Sequence, residues 1–136
     1  MISVTRKSHF NAAHRLHNTE WSDEKNDKFY GLCNNKNFHG HNYDLYVTIK
    51  GPIDNSSGFV VNLKELNEVV NKKVINVLDH NLIQDVEWFK DRQPSTENLV
   101  VFVWEQIVSE IVLPAKLFCV KLRETGTIFT EYYGDE

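Results

Sequence analysis

A chain of 136 residues with 41% hydrophobic and 25% charged side chains is long enough for one core and too short for two, and has the balance of a water-soluble globular domain. Its net charge of -4 and isoelectric point near 5.8 provide no cationic footprint for nucleic acid or an acidic membrane. No apolar run approaches the roughly 18 residues of a membrane span, so a single domain over 1–136 with a small-molecule partner is expected.

The stretch MISVTRKSHF lacks the apolar core of ~7–15 residues that a signal peptide carries. Cys33 and Cys119 lie far apart without a CxxC spacing, so a disulfide framework is not expected. Together they predict a reducing, cytoplasmic location. Alternation over residues 2–14 predicts a strand with Ile2, Val4, Phe10, Ala12 and His14 on its apolar face. Residues 17–38 are polar and asparagine-rich without a period, which predicts a long loop of the functional kind.

A second strand over 39–50 places His39, His41, Tyr43, Leu45, Val47 and Ile49 on one face. After the turn GPIDNSSG, Asn62 and Glu65 form a capping-box pattern for a helix ending near Leu78. Residues 79–94 have no period. Ser95 is the cap of a second helix, running to about Val112, so apolar on all sides that it should pack on two, as in an oligomer. KLFCVKLRE and TIFTEYYG then predict a hairpin about Thr125-Gly126. The order ββααββ predicts an α+β fold, its strands antiparallel and its helices covering one face of the sheet.

Histidines two apart on a strand project to the same side, and His14 joins His39 and His41 if the first two strands pair antiparallel. Three neutral imidazoles describe an open, catalytic zinc site; the alternative is polar residues at a sheet mouth, each satisfied by a carbonyl. Cys33 is readable as a base or nucleophile, a fourth zinc ligand, or a small half-buried residue. Cys119, inside an apolar strand with Phe118, Val120 and Leu122 nearby, is expected in the core. An Asp79–His80 relay requires a turn that brings the carboxylate back to the imidazole; otherwise the pair ends a helix. Glu124, at the buried parity of its strand end, needs a partner and fits a ligand with two adjacent N–H donors; the alternative is an edge residue bent into solvent. Glu97 reads as a helix-dipole residue.

The motifs FNAAHRL, CNNKNFHGHNY, LDHNLI, PSTENL and LRET, in this order along nearly the whole chain, resemble the 6-pyruvoyl-tetrahydropterin synthase family, which also holds 6-carboxytetrahydropterin synthase. The resemblance implies the tunnelling fold (T-fold), with a four-stranded antiparallel sheet and two helices per chain, assembled as a homohexamer of two stacked trimers. It implies zinc on His14, His39 and His41, Cys33 as catalytic base, Asp79 and His80 as its relay, Glu124 as pterin anchor, and Thr96 and Glu97 lining the pterin pocket. The implied substrate is 7,8-dihydroneopterin triphosphate, with Arg15, Lys28 and Lys36 as cations available to its phosphates.

Six residues from Cys33 to His39, and Asn62 at the helix cap, resemble the pyruvoyl-forming branch, in tetrahydrobiopterin biosynthesis. The alternative is the carboxy-forming branch of queuosine biosynthesis, which releases acetaldehyde. Phe38 departs from the glycine common in relatives, which bears on loop shape and not on metal binding. A rival of another class is an inactive zinc-binding scaffold, against which Cys33, Asp79, His80 and Glu124 together argue.

Overall fold

The computed structural model describes residues 1–135. Thirteen residues of β1 (Ile2–His14) pair antiparallel, without interruption, with thirteen of β2 (His39–Gly51), from Ile2 opposite Gly51 to His14 opposite His39. β4 (Lys116–Arg123) pairs with β2, and β5 (Phe129–Tyr132) with β4, both antiparallel. The fold is α+β, as predicted, but the sheet has five strands in the order β3-β1-β2-β4-β5 instead of four. The extra strand is β3 (Asn81–Leu82), two residues running parallel to β1 at Ala12 and Ala13. A strand of two residues carries no alternation, so the stretch reads as irregular.

One face of the sheet forms the core. Phe10, Tyr43, Leu45, Val47, Ile49, Val120 and Leu122 meet Leu66, Val70, Val74 and Leu78 from one helical segment and Leu99, Val100, Val103 and Ile107 from another. Each buried aliphatic or aromatic side chain here contributes about 1.5–3 kcal/mol relative to exposure. The first segment begins where Asn62 accepts from the Lys64 and Glu65 amides. It is α2 (Leu63–Val70), which passes through a π-helical stretch (Asn71–Ile75) into α3 (Asn76–Leu78). The second is α4 (Thr96–Ile107), capped by the Ser95 hydroxyl and followed by a 3-10 turn.

Three expectations are corrected. The predicted loop contains the helix α1 (Asp23–Tyr30) and a 3-10 turn over Gly31–Asn34. Ser22 caps α1, but its buried residue is Asn26, so no apolar stripe announces it. Second, Cys119 is buried but not in the core. The β2–β4 register shifts at Thr48/Ile49, leaving Phe118 without a partner; Leu117 turns inward and Cys119 faces the opposite side, beside Thr48. Third, α4 ends at Ile107 instead of near Val112, with a 3-10 turn over Val108–Glu110 after it; it packs on the sheet and also against Trp88 and Phe89, which meet Phe102, and Tyr132, which meets Trp104. Gly134 closes on Trp104 so tightly that a Cβ would lie 2.5 Å from the indole. Among the described residues no helix is long and apolar enough to cross a membrane.

Candidate active site

The antiparallel ladder delivers the histidines. His14 is opposite His39, and His41 follows on the same face, so all three imidazoles converge at the open end of the core. The intervening Gly40 is closely approached: a Cβ there would sit 3.3 Å from the Ala12 carbonyl oxygen, a contact that a shift of a few tenths of an ångström would have to relieve. The candidate ligand atoms of the three histidines lie within 4.8 Å of one another. Buried His14 donates from Nδ1 to the Pro94 carbonyl (2.7 Å), which leaves its Nε2 lone pair facing His39 Nε2 at 2.9 Å. His39 Nδ1 and His41 Nε2 are buried without hydrogen-bond partners. Burial, then the neighbouring imidazole charges, hold His14 and His39 below the ordinary histidine value, so both are neutral donors at pH 7.

Glu124 closes the cluster from the end of β4. One carboxylate oxygen lies 3.5 Å from His41 Nε2, and the other accepts from the Thr96 hydroxyl at the start of α4. The histidine cluster therefore faces a half-buried carboxylate, itself tied to a buried threonine. Glu97, next to Thr96, is exposed, and no hydrogen bond or ion pair joins it to this group among the described residues.

Cys33 is half-buried in the 3-10 turn before β2; burial first, and the Glu124 charge second, raise its thiol above the ordinary value. Its ligand atom is not among the three that cluster, so the structure provides no fourth zinc ligand there. The turn to β2 passes through Phe38 at φ 67°, the left-handed region where glycine is free of steric cost. That is the physical sense of the glycine expected at this position.

The turn needed for an Asp79–His80 pair is present. His80 adopts φ 59°, and its Nδ1 donates to Asp79 Oδ2 at 2.9 Å. The pair is clipped to the edge of β1: the His80 amide donates to the Asn11 carbonyl and the Asn11 amide to Asp79 Oδ1. The Asn11 amide, and then His80, hold the Asp79 carboxyl below the usual range. His80 is exposed, and among the described residues no hydrogen bond or ion pair links either residue to Cys33.

Two features of the site have no warning in the motifs. The Pro94 carbonyl that fixes the His14 tautomer is a backbone group. Tyr43 stands beneath the histidines, its ring 5.6 Å from that of His41, with a fully buried hydroxyl that lacks a partner. Its polar tip at a core parity, two residues past His41, was the available signal. Burial, then Glu124, raise its pKa far above the ordinary tyrosine value. Of the cations considered for phosphate, Arg15 is engaged with the Asn34 carbonyl, while Lys28 and Lys36 are exposed.

Three histidines that could hold a metal ion, a capped carboxylate and a nearby thiol gather at one end of an α+β sheet. The family model described as 6-pyruvoyl tetrahydropterin synthase matches residues 3–135, and the chain belongs to that family. It is 42% identical over 132 residues to the 6-pyruvoyl tetrahydrobiopterin synthase of Drosophila melanogaster, covering 96% of this chain and 79% of that one. The structure of Caenorhabditis elegans 6-pyruvoyl tetrahydropterin synthase superposes with a TM-score of 0.92 at 36% identity, covering 98% of this chain and 96% of that one. A 6-carboxy-5,6,7,8-tetrahydropterin synthase from Haemophilus influenzae is 25% identical over 153 residues, covering 97% of this chain and 99% of that one.

Proposed function

We propose that the protein is a cytoplasmic lyase that converts 7,8-dihydroneopterin triphosphate to 6-pyruvoyltetrahydropterin with elimination of triphosphate. The observation that carries this reading is the convergence of His14, His39 and His41 on the Thr96-capped carboxylate of Glu124. The donor set fits Zn2+: three converging imidazoles, one tautomer fixed by Pro94 and two nitrogens buried without partners. Zinc on these residues supplies Lewis acidity to the hydroxyls of the substrate side chain.

The chain's own groups do the rest. Glu124 accepts from the adjacent N–H groups of the pterin ring, and Thr96 holds the carboxylate for that contact; Glu97 lines the same pocket. Cys33 removes a proton from the substrate side-chain carbon as thiolate. Its raised pKa in the free site falls when pterin N–H groups offset the Glu124 charge. His80, oriented by Asp79, relays protons with the cysteine. Because the pair is exposed and unjoined to Cys33 within one chain, the relay is completed by a neighbouring chain of the homohexamer. The sheet face away from the helices exposes Phe118, Phe129 and Tyr133, which favours a T-fold assembly of this single domain.

The higher identity to pyruvoyl-forming relatives favours that branch. Product analysis tests it: protein incubated with dihydroneopterin triphosphate, with and without chelator, should yield pyruvoyltetrahydropterin without acetaldehyde, and only without chelator. Stoichiometric acetaldehyde with carboxytetrahydropterin would reassign the protein to the queuosine branch. No product would leave a scaffold.

A further inference from the structure

The two peptide groups that follow the Cys33 side chain are pinned to the segment that continues β1. The Leu16 amide donates to the Cys33 carbonyl at 2.8 Å, and Arg15 Nε donates to the Asn34 carbonyl at 3.0 Å. Asn34 itself is 95% buried, being 5% exposed, which is unusual for an amide beside a polar turn. Its Nδ2 donates to Asp27 Oδ1 of α1 at 2.7 Å, so its Oδ1 is the atom that accepts from His17 Nδ1, also at 2.7 Å. One side chain thus joins α1, the end of β1 and the turn that carries the thiol.

The connection returns to the histidine cluster. His17 and the side chain of Gln93 exchange hydrogen bonds through the His17 main chain, at 3.3 and 2.8 Å. Gln93 directly precedes Pro94, whose carbonyl fixes His14. Cys33 and His14 are therefore held in one frame by a chain of hydrogen bonds running through Asn34, His17 and Gln93, with no apolar packing needed in the turn.

We infer that Asn34 is the positioning residue for the Cys33 thiol: it touches neither substrate nor metal, and sets where the thiol stands relative to the histidines. This rests on the reading of Cys33 as base. A base misplaced by about 1 Å costs on the order of 10–100-fold in rate. The arrangement also explains what the asparagine immediately after Cys33 does, beyond filling a loop.

The test uses the full chain carrying Cys119→Ser, so that Cys33 is the only thiol. In Asn34→Ala, kcat on dihydroneopterin triphosphate should fall on the order of 10–100-fold with KM and bound zinc retained, and iodoacetamide should alkylate Cys33 several-fold faster. Asn34→Asp combined with Asp27→Asn rebuilds the contact with donor and acceptor exchanged and should restore both readouts. Unchanged alkylation and kcat in Asn34→Ala, or a double variant no better than it, overturns the inference. Faster alkylation with unchanged kcat supports the positioning role and instead removes Cys33 from the chemistry. Should Asn34→Ala not fold, Asn34→Ser, whose hydroxyl reaches one partner at most, carries the same comparison.

Discussion

The Thr96 hydroxyl donates to the Glu124 carboxylate, so the first turn of α4 and the last residue of the β4 arm are joined at the edge of the histidine cluster. Thr96 is buried, and its partner is a carboxyl group. Thr96→Val removes the donor with little change of shape and should cost about 1.5–3 kcal/mol, read by denaturant unfolding. It should also weaken binding of a pterin analogue, because the carboxylate is left free to rotate. Unchanged affinity would mean that Glu124 is held by His41 alone.

The charge of Glu124 opposes thiolate formation at Cys33. Glu124→Gln removes that charge, so in the metal-free protein the Cys33 pKa should fall and alkylation at pH 8 should become faster. The pH at half-maximal alkylation measures it directly. An unshifted midpoint would show that burial alone raises the thiol.

His14 and His39 differ in setting although both belong to the metal cluster. His14 is buried and satisfies the Pro94 carbonyl; His39 is half-buried with a free Nδ1. His39→Ala should reduce zinc content with a small loss of stability. His14→Ala should reduce zinc content and also cost about 2–5 kcal/mol, from the cavity and the orphaned carbonyl. Full zinc occupancy in either variant, measured by atomic absorption, would refute the three-histidine site.

Asp79 gives the protein a defined acid sensitivity. Its folded-state pKa lies below the unfolded value of about 3.9, so its stabilising contribution is fully present above that value and is lost as pH falls through the folded one. Asp79→Asn should therefore lower stability at pH 7, and the difference should shrink as pH falls below about 4. Parallel stability curves across that range would contradict the hydrogen bonds from Asn11 and His80.

Much of this was legible in the chain's periodicities. The period of two through HGHNYDLYVTI placed His39, His41 and Tyr43 on one face, and an antiparallel partner brought in His14; β1, β2, the hairpin and the helix starts at Asn62 and Ser95 stand where predicted. What escaped depends on single contacts instead of repeating ones. The helix α1 is organised by a buried amide, β3 is two residues long, and the bulge at Phe118 turns Leu117 inward and Phe118 outward, against the alternation set by Val120 and Leu122. The site divides in the same way. Its titratable side chains carry motifs, whereas the Pro94 carbonyl and the Asn34 network are defined only once the chain is folded.

The unbroken β1–β2 ladder gives the cluster a tolerance that can be stated in units of one residue. His14 is the last rung of a pairing that begins at Ile2 and Gly51. Deleting or inserting a single residue within either strand reverses which side of the sheet the far end presents, unless a bulge absorbs it. Such an indel near Lys7 would abolish metal binding from a distance while altering no ligand. The turn over 52–59 lies outside the ladder, so a change in its length leaves the register untouched. For this cluster the number of residues along the strands matters as well as their identity.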